Sequence, residues 1–137
     1  MTPSRDGIAE ANAAALAAMR HAYPLYSHFR VGAALRAKDG TLVAGCNVEN
    51  AAFPSGTCAE RGALAAAVAK GHRKFDLLVV ATDAGEPTPP CGMCRQAVME
   101  FSPKLRVIAV TTGGKRSEWV LTDLLPQPFT PASLSST

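Results

Sequence analysis

Phe75-Asp76-Leu77-Leu78-Val79-Val80-Ala81-Thr82 is a near-continuous apolar run that ends at a stiff loop, Asp83 to Pro90, holding three prolines. A strand without polar alternation is expected where both faces of a sheet are covered, so this segment predicts a central strand with helices above and below it. Downstream, residues 92 to 101 read as a helix and Leu105-Arg106-Val107-Ile108-Ala109-Val110 as the next strand. Gly113-Gly114 then turns the chain towards a shorter strand at Ser117 to Leu121, and Leu121 to Leu125 reads as one helical turn ended by Pro126 and Pro128.

Upstream, residues 58 to 70 predict an Ala-rich helix with Thr57 or Ser55 as its cap and Gly71 as its stop. Before it, Phe29 to Arg36 and Thr41 to Asn47 flank Lys38-Asp39-Gly40, and Asp-Gly between two such runs signals a hairpin. Residues 4 to 22 form the first helix, with Ser4 able to cap it and Ile8, Ala11, Ala15, Leu16 and Met19 as an apolar stripe. Tyr23-Pro24 breaks that helix. The order α-β-β-α-β-α-β, with one more strand and a short helix, predicts an α/β fold: a layered sandwich whose helices cover one sheet.

A chain of 137 residues fits a single domain, 1 to 137, that buries roughly two-thirds of the surface its unfolded form exposes. No internal repeat or linker divides it. With 47% apolar and 18% charged residues the composition is globular. The 14 basic residues are scattered and the net charge is only +3, so the clustered basic stripe that a nucleic acid requires is missing. Lys115-Arg116 beside Gly113-Gly114 reads as a solvated turn. No stretch approaches the ~20 apolar residues of a membrane span. Asp6 and Glu10 interrupt the N-terminal apolar run, unlike a secretory signal. The expectation is a soluble cytoplasmic protein with no membrane or nucleic-acid partner, whose four cysteines serve metal or catalytic chemistry instead of disulfides.

Three of those cysteines fall in two motifs, Cys58-Ala59-Glu60-Arg61 and Pro90-Cys91-Gly92-Met93-Cys94-Arg95. The two-residue gap lets Cys91 and Cys94 reach one ion, and Cys58 is the natural third ligand. Three protein ligands leave a fourth position for water, the arrangement of a catalytic zinc site and not of a closed structural one. Cys46 sits in an apolar strand and reads as a small buried thiol. His21 and His72 fall at helix C-termini, where the dipole favours imidazole, and nothing in the sequence decides the role of His28.

Three thiolates on Zn²⁺ leave about one net negative charge, which weakens the ion as a Lewis acid. Helix N-termini favour thiolates, and Arg61 and Arg95 each follow a ligand closely, so one or both are expected to hydrogen-bond the sulfurs. Glu60, two residues after Cys58, is placed to move protons beside the metal. A Cys-x-Glu followed by Pro-Cys-x-x-Cys is the zinc deaminase signature, in which the Glu is a proton shuttle and not a ligand.

The chain resembles the cytidine deaminase family, in its short, three-cysteine form. The resemblance rests on Tyr26-Ser27-His28-Phe29 with Val31-Gly32-Ala33-Ala34-Leu35, on Gly45-Cys46-Asn47-Val48-Glu49-Asn50-Ala51, on the two cysteine motifs with Gln96, and on Leu124-Leu125-Pro126 with Phe129. It implies a layered α-β-α sandwich with a mixed five-stranded sheet, one Zn²⁺ per chain, a homotetramer, and hydrolysis of cytidine and deoxycytidine to the uridine forms with release of ammonia, a step of pyrimidine salvage. By the same resemblance Glu60 is the proton carrier and Asn47 and Glu49 bind the ribose 3′-hydroxyl. Phe29 packs on the pyrimidine, the Ala59 amide meets its O2, the Pro89 carbonyl accepts from the leaving amine, and Phe129 reaches a neighbouring subunit's site. Phe53, Pro89 and Thr130 depart from the residues common in the family, which are Tyr, Ser or Thr, and Gly. Two other readings are a deaminase of another cytosine-like nucleoside or nucleoside antibiotic, and a structural zinc module that binds a partner.

Overall fold

The computed structural model of the protein describes residues 6–135. The expected central strand forms at Phe75–Thr82 and is β3 of a five-stranded sheet. The others are β1 (Val31–Ala37), β2 (Leu42–Cys46), β4 (Arg106–Thr111) and β5 (Arg116–Val120), in the spatial order β2-β1-β3-β4-β5. Only β3 and β4 are parallel; β1 runs antiparallel to β2 and β3, and β5 antiparallel to β4. The sheet is therefore mixed, as expected.

The unbroken apolar run of β3 is explained by its two covered faces. Leu77, Val79 and Ala81 pack with helix α1 (Ile8–Met19), while Leu78 and Val80 pack on the opposite side with α2 (Ala59–Ala69) and α3 (Gly92–Met99). Each face is a separate apolar cluster, so the architecture has three layers.

Two glycines set how closely the helices lie. A Cβ on Gly32 of β1 would stand 2.0 Å from the Ala15 carbonyl oxygen in α1, and one on Gly45 of β2 would stand 2.6 Å from both the Ala59 oxygen and the Ala63 nitrogen in α2. Helix backbone thus touches strand backbone on both sides of the sheet. That contact also fixes the height of the α2 N-terminus over the end of β2.

Element ends differ from the sequence expectations in instructive ways. Helix α1 starts at Ile8, because Gly7 takes the left-handed conformation (φ 71°) and the Asp6 carboxylate accepts the Ile8 amide at 3.2 Å. Ser4, the expected cap, lies outside the described residues. Cys58, not Thr57 or Ser55, occupies the N-cap of α2. Thr57 is instead held extended by a pair of backbone hydrogen bonds with Val48. Gly71 stops α2 in the left-handed region, and Gly40 does the same in the β1–β2 turn. After β5 the chain forms two short helices, α4 (Leu121–Leu124) and α5 (Pro131–Leu134), the second capped by the Thr130 and Ser133 side chains. Among the described residues no helix is long and apolar enough to cross a membrane.

Candidate active site

The loops after β2 and β3 deliver two helix N-termini to one place. Cys58 is the N-cap of α2, Cys91 the N-cap of α3, and Cys94 lies in the first turn of α3. The sulfurs of Cys58 and Cys91 are 3.8 Å apart, those of Cys91 and Cys94 3.5 Å, and all three lie within 4.8 Å of one another. A tetrahedral zinc ion with Zn–S bonds of about 2.3 Å holds its sulfurs about 3.8 Å apart, so the donor set fits zinc in spacing as well as in chemistry. Among the described residues no other group of His, Cys, Asp or Glu is built this way. Cys46 is half-buried at the end of β2 and outside the cluster.

The surroundings differ for each thiol. Burial, reinforced by the nearby Glu60 carboxylate, pushes the Cys94 thiol far up. Burial acts the same way on Cys91, but hydrogen bonds from the Cys94 amide and from the Cys94 and Cys58 thiols outweigh it and bring Cys91 down. Positive charge arrives from Arg61, one helical turn after Cys58 and on the same face of α2. Its Nη2 donates to the Cys58 sulfur at 3.5 Å, and the Cys58 and then the Cys94 sulfurs raise its own pKa.

Arg95 does not share this task. Its Nε donates to the Pro90 carbonyl at 2.7 Å and its Nη1 to the Leu124 carbonyl at 2.9 Å, with no bond to a sulfur. One residue past Cys94 is about 100° around the helix, which turns the guanidinium towards the C-terminal segment. Of the two arginines, one or both of which are expected from the sequence to bond the sulfurs, Arg61 does so, and Arg95 instead ties the cysteine loop to α4.

Next to the thiols opens a pocket of about 450 Å³. Glu60 stands on its wall, only 4% exposed, and burial raises its carboxyl above the ordinary carboxylate range while the Cys94 thiol and the Arg61 charge pull it part of the way back. Ala59 at the start of α2, Pro89 before the cysteine loop, Phe29, Val80 and Thr82 also line it, as do Asn47 and Glu49. The Asn47 side chain accepts the Val31 amide at 2.9 Å and donates to the Phe29 carbonyl at 2.8 Å. Glu49 accepts the Tyr26 and Ser27 amides, both at 2.9 Å, on one oxygen and the Ser27 hydroxyl on the other.

Of the residues singled out in the sequence, Phe29, Asn47, Glu49, Cys58, Ala59, Glu60, Arg61, Pro89 and Cys91 all border this one pocket, with Cys94 just behind Cys91. Phe129 does not. It is 59% exposed, its backbone is clamped by the Gln96 side chain through bonds of 2.7 and 3.0 Å, and it lines a separate groove with Met99 and Pro126. Ser27 and Thr88 border the pocket without having been given a role. Ser27 stands two residues before Phe29 within the Tyr26-Ser27-His28-Phe29 stretch that carries the family resemblance, which was the signal available for it.

The family model for the cytidine and deoxycytidylate deaminase zinc-binding region matches residues 8–111, which covers both cysteine motifs and the strands and helices that carry them. This chain belongs to that family. A cytidine deaminase of Sporosarcina psychrophila is 44% identical over 119 residues, covering 86% of this chain and 88% of the relative. One from Halalkalibacterium halodurans is 42% identical over 117 residues, 85% of this chain and 89% of the relative. The crystal structure of cytidine deaminase from Burkholderia pseudomallei superposes with a TM-score of 0.85 at 42% identity, covering 88% of this chain and 98% of that one. The expected layered α/β fold and zinc-dependent deaminase family are thereby shown.

Proposed function

We propose that the chain hydrolyses the exocyclic amine of cytidine and deoxycytidine, giving the uridine forms and ammonia. The observation that carries this is the buried Glu60 carboxyl sharing one pocket wall with the three-sulfur cluster. Zn²⁺ held by Cys58, Cys91 and Cys94 supplies, when bound, a water acidic enough to act as nucleophile near neutral pH. Glu60 moves the protons: it takes one from water and passes it to pyrimidine N3, then takes the second from the hydroxyl added at C4 and delivers it to the departing amino nitrogen, so that ammonia leaves as the C4 carbonyl forms. A carboxyl whose pKa is lifted by burial suits a group that must both take and give a proton.

The remaining wall orients the substrate. Phe29 packs on the ring, the Ala59 amide at the α2 N-terminus meets O2, and the Pro89 carbonyl accepts from the leaving amine, for which a proline carbonyl serves as well as any other. Asn47 and Glu49 receive a sugar hydroxyl, each retaining hydrogen-bonding capacity after its internal bonds are counted. Arg61 offsets the excess negative charge of the sulfurs.

One domain per chain carries this chemistry, and the assembly is a homotetramer. Supporting the second point, Leu25, Tyr26, Val48 and Phe53 expose apolar surface about the loops that border the pocket, and Phe129 is exposed and outside its own pocket; in the tetramer it enters a neighbour's site. A place in cytoplasmic pyrimidine salvage follows from the proposed substrates. Glu60→Gln decides the central claim. It is expected to stay folded and bind one zinc per chain while deamination, followed as the loss of cytidine absorbance, nearly vanishes. A normal rate in that variant rules the proton-carrying role out.

A further inference from the structure

The loop before β1 is fastened to the loop after β2 through the Glu49 carboxylate, and Ser27 supplies two of its three hydrogen bonds. Ser27 donates its hydroxyl to Glu49 Oε2, donates its amide to Glu49 Oε1 at 2.9 Å, and accepts the Phe29 amide on its Oγ at 3.0 Å. The next residue, His28, holds the left-handed conformation (φ 59°), and that turn folds the Phe29 amide back onto Oγ. Ser27, Phe29 and Glu49 all border the pocket.

The bonding capacity of Glu49 shows what this does. A carboxylate offers about four acceptor directions. Two on Oε1 are filled by the Tyr26 and Ser27 amides and one on Oε2 by the Ser27 hydroxyl, so a single direction on Oε2 is left for a ligand. The carboxylate is held in one rotamer and kept ionised: the Ser27 hydroxyl and then the Ser27 amide pull its pKa below the usual range. A lone acceptor with fixed direction selects a ligand that presents one hydroxyl donor there.

We propose that Ser27 is a positioning residue which, by bonding both oxygens of Glu49, sets the pocket's discrimination for nucleosides that carry the sugar hydroxyl. This rests on the nucleoside reading above. It predicts that the serine acts through Glu49 and not through the metal or the ring.

The test compares cytidine with its 2′,3′-dideoxy analogue in the wild type, Ser27→Ala and Ser27→Thr, with zinc content measured for each. In Ser27→Ala, kcat/KM for cytidine is expected to fall roughly 10- to 100-fold, the loss of one charge-assisted hydrogen bond, mostly through KM and at full zinc occupancy. The analogue, which offers Glu49 nothing, is expected to keep its wild-type kcat/KM, so the preference for cytidine collapses. Ser27→Thr, which retains a hydroxyl, is expected to restore it. An unchanged preference in Ser27→Ala, or an equal loss for both substrates, overturns the proposal. A wild-type protein that deaminates neither compound fails on the functional reading itself, a result separable from either of these.

Discussion

Replacing Gly45 by alanine tests whether the active site is set by the height of α2 over the sheet. The new Cβ would meet the Ala59 oxygen and the Ala63 nitrogen at 2.6 Å and the Ala63 Cα at 3.1 Å, all of them backbone atoms that no rotamer change can move. Ordinary contact begins at 3.4 Å, so the two backbones must separate by about 0.8 Å. Overpacking of this kind costs about 1–3 kcal/mol. Because the helix that moves carries Cys58, Ala59 and Glu60, its shift also misplaces the reacting groups, and displacements near 1 Å can lower turnover by about 100-fold. Urea unfolding, zinc stoichiometry and kcat measured on one preparation separate the two effects. Gly62→Ala is the control: it lies in the same helix, its nearest neighbour would be the Cys46 oxygen at an ordinary 3.8 Å, and it is expected to stabilise by up to about 1 kcal/mol. If Gly45→Ala were as stable and as active as Gly62→Ala, the close approach would not be what positions the site.

Arg61→Ala is expected to weaken zinc binding by about 10- to 100-fold in competition with a chelator, as losing a hydrogen bond to a metal ligand does elsewhere; unchanged affinity refutes its neutralising role. Arg95→Ala strands the Pro90 and Leu124 carbonyls and is expected to cost about 1–3 kcal/mol of stability, with a smaller loss of zinc affinity than Arg61→Ala shows. Zinc at 1,000 times its Kd is expected to raise the unfolding free energy of the stripped protein by about 4 kcal/mol, seen as a Tm that climbs with added metal; a constant Tm refutes the site. Glu49 has a folded pKa below its unfolded value, so the stability it contributes is present above the ordinary pKa of 4.5 and is lost as pH falls through the depressed one. A Glu49→Gln variant is therefore expected to lag the wild type at neutral pH and to match it at the acid end, and a difference that persists in acid excludes the charge as its source.

Where the sequence was informative, the information was local. Leu77 to Ala81 announced a strand buried on both faces because no polar residue interrupts it, and the structure covers that strand with α1 on one side and α2 and α3 on the other. Gly71 and Gly40 marked their turns because left-handed backbone costs glycine nothing. Cap assignments were harder to read. Thr57 is a good cap by residue type, but its backbone pairs with Val48, a contact made across a loop.

The zinc ligands were legible for the same reason. Two thiolates separated by two residues at a helix start can reach one ion whatever the rest of the chain does, whereas Cys58 joins them only because the fold brings the N-termini of α2 and α3 together. The destination of a long side chain is different, because it depends on which distant backbone groups lack a partner. Arg61 and Arg95 look equivalent in sequence, each a short step past a cysteine. Only the packed structure sends the first to the sulfurs and the second to the carbonyls of Pro90 and Leu124. Likewise nothing in the sequence says how Phe129 is held, and only the packed structure shows the Gln96 side chain clamping its backbone outside the pocket. The chemistry of this protein is thus written in two short motifs, whereas the distances that orient it, from the Gly45–α2 contact to the Ser27–Glu49 clamp, exist only once segments far apart in the chain are pressed together and each buried polar group has found its partner.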